Sequence, residues 1–374
     1  MSATPVEDAP VGEPRMLIDG DLVEAGSGRR FDNLNPATEE VIGEVADASI
    51  DDTRRAIAAA RRAFDTTTWS TDRALRRRCL EQLHQAAVAD QERIRAELVA
   101  EVGCPVAVTH LAQLDTPLAD GLLWPARMLD EYEWERPLPE GDAFGVPSWR
   151  RVVHEPVGVV GAIVPWNYPT EILINKLGQI LATGNTVVVK PAPDTPWSAT
   201  RFGQLIADHT DIPAGVVNVV TSSDHLVGEE LVVDPRVDLI SFTGSTATGR
   251  RIMAAGAPTM KRLFLELGGK SAHIVLDDAD MTAALAYSSF GACMHAGQGC
   301  AMLTRVLLPR ARYEEGLDVI AESFGLVTVG DPRDPTIIQG PQISARQRER
   351  VLGSIDKGVA EGARLVLGGG RPKD

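Results

Sequence analysis

Val157-Gly158-Val159-Val160-Gly161-Ala162-Ile163-Val164 runs into Pro165, and Thr186-Val187-Val188-Val189-Lys190 follows after a helical pattern over residues 172–182. These two runs decide the fold. Unbroken β-branched stretches, in place of alternating apolar and polar residues, mark strands buried on both faces, as in a parallel sheet. The same rhythm continues outward: strands are predicted at 216–220, 239–242, 263–266 and 272–275, with helices at 196–209, 225–232 and 247–255 between them. Strands alternating with helices predict a doubly wound α/β fold.

Upstream, Leu17-Ile18-Asp19-Gly20 reads as a hairpin, and Asn35-Pro36-Ala37-Thr38 as a turn before Val41-Ile42. Residues 50–64 carry Ala56, Ile57, Ala60 and Phe64 at helical spacing, and 71–102 continue in helical mode. Residues 131–149, rich in Pro, Gly and aromatics, predict a projecting β-hairpin. Residues 1–15 are polar, acidic and proline-bearing, the pattern of a disordered tail.

The chain has 374 residues, enough for two or three domains. With 44% hydrophobic and 24% charged residues it reads as globular. Against 37 Lys and Arg stand 52 Asp and Glu, a net charge of −15 that repels nucleic acid and anionic membranes alike. The densest basic run, Arg76-Arg77-Arg78, lies inside a helical pattern. The longest apolar stretch, 157–166, is about half a bilayer span. Four cysteines without a CxxC pair form neither a disulfide framework nor a zinc knuckle, so no metal is expected. Free thiols and an N-terminal stretch without the apolar run of a secretory leader lead to the expectation of a cytoplasmic protein.

Five segments carry chemistry. In Gly297-Gln298-Gly299-Cys300 small residues leave a thiol open to attack a substrate; a buried core cysteine is the competing reading, and Cys293 in its apolar helical run fits that one better. Asn167 in Pro165-Trp166-Asn167-Tyr168-Pro169 is either an amide donor to an oxyanion or an N-cap. Glu266 before Leu267-Gly268-Gly269-Lys270 is either a general base for water or a solvated strand-end charge. The turn Gly244-Ser245-Thr246 after a strand offers amides to an anion such as a pyrophosphate. Lys190, at a strand end before Pro191, is one of the chain's few lysines, as is Lys176. Gly269-Lys270-Ser271 imitates a P-loop, but Phe264 occupies the position where the first glycine is required.

Taken in chain order, the Asn167 turn, Lys190, Gly244-Ser245-Thr246, Glu266-Leu267-Gly268-Gly269-Lys270 and Gly297-Gln298-Gly299-Cys300 resemble the aldehyde dehydrogenase superfamily. The spacing is similar too: 300 − 266 = 34 and 300 − 167 = 133 residues, as in hydrolytic members. The resemblance implies a small aldehyde as substrate, NAD or NADP as cofactor and oxidation to a carboxylic acid. Cys300 would be the nucleophile and Asn167 with the Cys300 N–H the oxyanion site. Glu266 would be the base that releases the thioester, and Lys176 an electrostatic or proton-transfer partner. Cofactor contacts would be Trp166, Gly244, Ser245 and Gly268, with Lys190 at the adenosine ribose. Where NAD-preferring members carry Glu, Pro193 stands here, which leaves NADP open. A homo-oligomer assembled through residues 131–149 is also implied.

The resemblance further implies a dinucleotide-binding domain over 16–130 and 150–267 and a second α/β catalytic domain over 268–374. That second domain is expected to be incomplete, because no Glu-x-Phe-Gly-Pro follows Cys300 at the family's distance. Glu322-Ser323-Phe324-Gly325 lies only 322 − 300 = 22 residues on and reads as a helix end. Two other readings compete. One is a truncated homologue that binds dinucleotide, or serves only in assembly, without turnover. The other is a cysteine hydrolase pairing Cys300 with His295.

Overall fold

The computed structural model describes residues 11–371. Its main sheet has seven strands: β1 Met16–Ile18, β2 Asp21–Val23, β3 Val159–Ile163, β4 Thr186–Lys190, β5 Val217–Val219, β6 Leu239–Gly244 and β7 Arg262–Leu267, in the order β7-β6-β3-β4-β5-β1-β2. The five strands from β7 to β5 are parallel, and β1 and β2 extend the edge antiparallel. The hairpin predicted at 17–20 joins β1 to β2. Asp19 at φ 58° and Gly20 at φ 89° supply the left-handed pair that a tight two-residue hairpin turn requires.

Successive residues on a strand face opposite ways, and here both ways lead into core. Val187 and Val189 pack into one cluster with Leu173, Leu177 and Phe202. Val188 packs into the other with Ile57, Leu231 and Ile240. Helices Arg73–Ala89, Pro169–Ala182 and Trp197–His209 cover the first face; Ile50–Thr66, His225–Val233 and Thr246–Gly256 cover the second. Ser49 opens Ile50–Thr66 with a reciprocal cap, Asp52 N donating to Ser49 Oγ (3.2 Å) and Ser49 N to Asp52 Oδ2 (2.9 Å).

Four expectations need correction. The helical stretch 71–102 is two helices, Arg73–Ala89 and Gln91–Val102, broken at Asp90, whose backbone leaves helical geometry and whose carboxylate lies 3.6 Å from Arg201. The strand expected at 272–275 does not join the main sheet: Ala272–Ile274 (β8) pairs in parallel with Arg305–Leu307 (β9) in a separate sheet. Its core is Val275, Met281 and Leu285, under helices Met281–Cys293 and Tyr313–Gly325. Of the expected disordered tail, residues 1–10 lie outside the described residues and 11–15 are packed. Ala46 N donates to Pro14 O (2.8 Å), Glu13 is buried and bound by Arg15, and Gly12 lies so flat on Trp197 that a Cβ would come within 2.0 Å of the indole. The projecting segment is two short ladders, Glu135–Pro137 with Arg151–Val153 and Gly141–Ala143 with Val146–Ser148, so it begins and ends later than 131–149.

The basic run at 76–78 forms no free patch. Arg76 is buried with its guanidinium on Trp69 O (2.8 Å), Arg77 pairs with Glu81, and Arg78 with Asp211.

Candidate active site

The parallel order reverses direction between β3 and β6, since β4 and β5 lie to one side of β3 while β6 and β7 lie to the other. A doubly wound sheet opens a crevice beyond the carboxyl ends of its strands at such a switch point. Here a cleft of about 1600 Å³ opens there, lined by Trp166, Asn167, Lys176, Gly244, Ser245, Glu266, Gly268 and Cys300 among others.

Each residue arrives by a local device. β3 runs into Pro165, and Pro169 starts the next helix at its first turn. Tyr168 is that helix's N-cap residue and no side chain caps it, so the cap reading of Asn167 is set aside. The Asn167 amide instead donates from Nδ2 to the Gln298 carbonyl (2.7 Å), two residues ahead of Cys300. An amide carries two N–H groups, so the second remains for the cleft. β6 ends at Gly244, where a Cβ would sit 2.5 Å from the Phe242 ring, and Ser245 caps the helix Thr246–Gly256. β7 carries Glu266, exposed on the cleft side, followed by the turn at Gly268.

Cys300 is exposed, so the core-cysteine reading does not hold for it; Cys293 is half-buried on the helix Met281–Cys293 and burial raises its thiol pKa. The loop reaches Cys300 through three left-handed residues in a row, His295 (φ 51°), Ala296 (φ 54°) and Gly297 (φ 69°). Left-handed backbone at two non-glycine residues is costly and persists only where surroundings hold it. His295 is fully buried, and burial pushes its imidazole down to about 4. Its Nε2 is engaged with Asn167 O (3.0 Å). With so weak a base, buried and bonded at Nε2 to a backbone carbonyl, His295 is not placed to deprotonate Cys300, and the reading of the pair as a hydrolase is set aside.

Lys176 projects from the helix Pro169–Ala182, is 7% exposed, and donates to Ser241 Oγ (2.8 Å). Burial lowers its ammonium to about 8, with the Glu266 carboxylate pulling the other way. The structure therefore brings a thiol, an amide, a carboxylate and a buried amine to one cleft.

Lys190 and Pro193 do not line it. Lys190 ends β4, one strand away from the switch point, buried with its ammonium on Pro191 O (3.1 Å) and Ser222 O (3.2 Å). Pro193 is exposed. Glu322 is not a lining residue either; its helix ends at Gly325, with Leu326 and not the expected Gly325 in the cap position. Sequence reasoning missed Gln347 and Arg350, which line the cleft from the helix Ala345–Ala360. It also missed Gln113, whose Nε2 donates to Asn167 O (2.8 Å). None of these sits in a motif; the one signal is Ser344 ahead of a helical pattern, and Ser344 does cap that helix.

The aldehyde dehydrogenase family model matches residues 22–374. A 3-succinoylsemialdehyde-pyridine dehydrogenase of a Pseudomonas species is 39% identical over 95% of this chain and 72% of its own length. A cytosolic aldehyde dehydrogenase of Rattus norvegicus is 36% identical over 98% of this chain and 72% of its own. Among solved structures, the betaine aldehyde dehydrogenase of Staphylococcus aureus in complex with NAD+ superposes with a TM-score of 0.92 at 30% identity, covering 97% of this chain and 71% of that one. The indole-3-acetaldehyde dehydrogenase of Pseudomonas syringae, in complex with NAD+ and IAA, does so at 0.90 and 32%, over 96% and 72%. The chain thus spans about 72% of the length of such relatives. With a family match over nearly its whole length, a shared fold and a thiol, an amide and a carboxylate in one cleft, the chain belongs to the aldehyde dehydrogenase family.

Proposed function

We propose that this chain oxidises an aldehyde to a carboxylic acid with NAD(P) and that Cys300, Asn167 and Glu266 carry the reaction. The observation that carries this reading is their convergence: three elements distant in sequence deliver these three groups to one cleft at the switch point of the sheet.

In this reading Cys300 Sγ attacks the carbonyl carbon, forming a C–S bond as the π electrons move to oxygen. The free Asn167 N–H and the Cys300 backbone N–H receive that charge, a contribution worth about 100- to 1000-fold in kcat per donor. A bound nicotinamide dinucleotide supplies the hydride acceptor, chemistry that no side chain provides. Glu266 takes a proton from water as the oxygen adds to the Cys300 thioester and the C–S bond breaks, releasing acid and thiolate. Lys176, beside Glu266, holds positive charge or passes a proton there.

The residues fit the dinucleotide. The Thr243 hydroxyl, in the cleft wall, is buried with no partner among the described residues. The free N-terminal amides of the helix Thr246–Gly256, behind Ser245, suit a pyrophosphate. Trp166, Gly244 and Gly268 complete that wall, and Lys190 with Pro193 is assigned to the far, adenosine side. Residues 16–130 and 150–267 make the dinucleotide-binding domain and the residues from 268 on the catalytic one. Assembly into a homo-oligomer through the projecting segment is supported by its exposed Phe144, Val146 and Trp149. No described helix is long and apolar enough to cross a membrane. A cytoplasmic setting is supported by the exposed Cys300 thiol, which needs a reducing compartment to stay free.

Formation of NADH and NADPH with short and aromatic aldehydes tests the reading, with Cys300→Ala as control. Turnover above that control supports it; a rate no higher would leave a dinucleotide-binding homologue without catalysis.

A further inference from the structure

Asn167 is held at both of its ends. Its main-chain carbonyl receives the His295 Nε2 (3.0 Å) and the Gln113 Nε2 (2.8 Å), while its side-chain Nδ2 donates to Gln298 O (2.7 Å). His295 and Gln298 belong to the loop that carries Cys300; Gln113 comes from the segment Thr109–Gln113. Gln298 is anchored in turn, donating from Nε2 to His295 O (3.2 Å) and Pro341 O (3.3 Å) and accepting Ile343 N at Oε1 (2.9 Å).

We propose that His295 is a positioning residue: with Gln113 it clamps the Asn167 carbonyl, and through Gln298 the same loop aims the Asn167 amide at the place where the oxyanion forms over Cys300. A carbonyl only accepts, so Nε2 carries the proton and Nδ1 is bare. Nδ1 is buried with no partner among the described residues, so the ring is placed for its Nε2 bond and not for a relay. The ring edge packs on Tyr168 with centroids 5.5 Å apart, which fixes its plane. The left-handed run from His295 to Gly297 explains the remainder. It turns the chain so that a side chain at 295 and a carbonyl at 298 face the same asparagine, and the backbone strain at His295 and Ala296 is the cost of that placement. The ring stays neutral down to about 4, so the Nε2 bond keeps one form across the pH range of turnover.

The proposal rests on the assignment of Asn167 to the oxyanion. Its test uses His295→Phe, which keeps the aromatic edge and removes the donor, His295→Gln, which restores a donor at the same reach, and Gln113→Leu on the same carbonyl. Three quantities are measured: kcat and KM with NAD+ and a short aldehyde, the rate of Cys300 alkylation by iodoacetamide, and hydrogen exchange of the 165–170 segment. A displacement of about 1 Å at an aligned site costs up to about 100-fold. His295→Phe is therefore expected to lower kcat about ten- to a hundredfold, with KM for NAD+ and alkylation of Cys300 changed less than about twofold. Exchange at 165–170 rises, and His295→Gln recovers most of the rate. The proposal is overturned if His295→Phe keeps kcat within about twofold of an active wild type, if His295→Gln falls as far as His295→Phe, or if exchange at 165–170 does not rise. Should His295→Phe not fold, Gln113→Leu carries the same expectations. A wild type that forms no NADH sinks the proposed function instead, and hydrogen exchange alone then decides the clamp.

Discussion

Lys176→Met should make the protein more stable at neutral pH while making it a poorer enzyme. The Lys176 ammonium is 7% exposed, has one hydrogen-bond partner in Ser241, and is pushed by burial from 10.5 to about 8. The sign follows from linkage. A lysine whose folded pKa is depressed binds its proton more weakly in the folded state, so it destabilises the fold wherever the unfolded chain is protonated. The penalty is full below about 8, shrinks as pH rises toward 10.5, and is gone above it. At about 1.4 kcal/mol per pH unit the gap amounts to about 3 kcal/mol at pH 7 and less than about 1 kcal/mol at pH 10. Losing the bond to Ser241 costs about 1 kcal/mol. The net expectation is a gain of about 2 kcal/mol at pH 7 that falls to about zero at pH 10, read by urea unfolding of both proteins across that range. A variant less stable than the wild type at pH 7, or a difference that does not change with pH, would refute the argument. Turnover should fall at the same time, because the positive charge beside Glu266 is gone.

Three shorter expectations follow from other parts of the molecule. Glu266→Gln should release about one equivalent of NADH per Cys300 in a burst and then stall about 100-fold or more below the wild-type rate, because the base for water is lost while acylation is untouched; a slow rate without a burst would place Glu266 earlier in the reaction. Arg201→Met strands the buried Glu97 carboxylate it pairs with, both side chains being 2% exposed, and should cost about 3–5 kcal/mol in denaturant unfolding; a loss under about 1 kcal/mol would show that Glu97 finds other partners. The chain should favour NAD+ over NADP+ by about tenfold or more in kcat/KM. The Lys190 ammonium meets Ser222 O, the Ser222 hydroxyl donates to Asp47 (2.9 Å), and Asp194 and Asp224 also act on Lys190, an acidic setting for a 2′-phosphate. Equal use of both cofactors would show that this acid cluster lies away from the ribose.

How much was legible from residues alone depended on the range of the interaction concerned. The β-branched runs at Val157–Val164 and Thr186–Lys190 needed only their own pattern to be read as buried parallel strands, and the hairpin at Asp19-Gly20 only its turn chemistry. The strand 272–275 has the same local look, yet its partner is Arg305–Leu307, beyond the cysteine, and no local pattern names a partner. The tail ended too late for the same reason. Gly12 and Glu13 look like solvent-loving residues until Trp197 and Arg15 close on them.

The site divides along the same line. Cys300, Asn167 and Glu266 were readable as candidates, and the fold brings them to one cleft, because each sits in a short motif whose neighbours are small or turn-forming, and such neighbours are needed wherever backbone must approach a substrate. Gln113, His295 and Gln298 serve Asn167 from the other side, and nothing in their own neighbourhoods shows it. His295 drew attention for the wrong role: a histidine near a cysteine suggests a base, whereas burial and a bonded Nε2 make it a prop. Residues that meet substrate are constrained by chemistry that leaves a local trace, while residues that hold them are constrained by distances between elements, which only the fold supplies. The left-handed geometry at His295 and Ala296 joins the two groups, because the backbone strain lies in the thiol's own loop and the contacts that sustain it come from Asn167 and Ile338. A variant that relaxes that strain should therefore act on catalysis through Asn167 before it acts on the reactivity of Cys300.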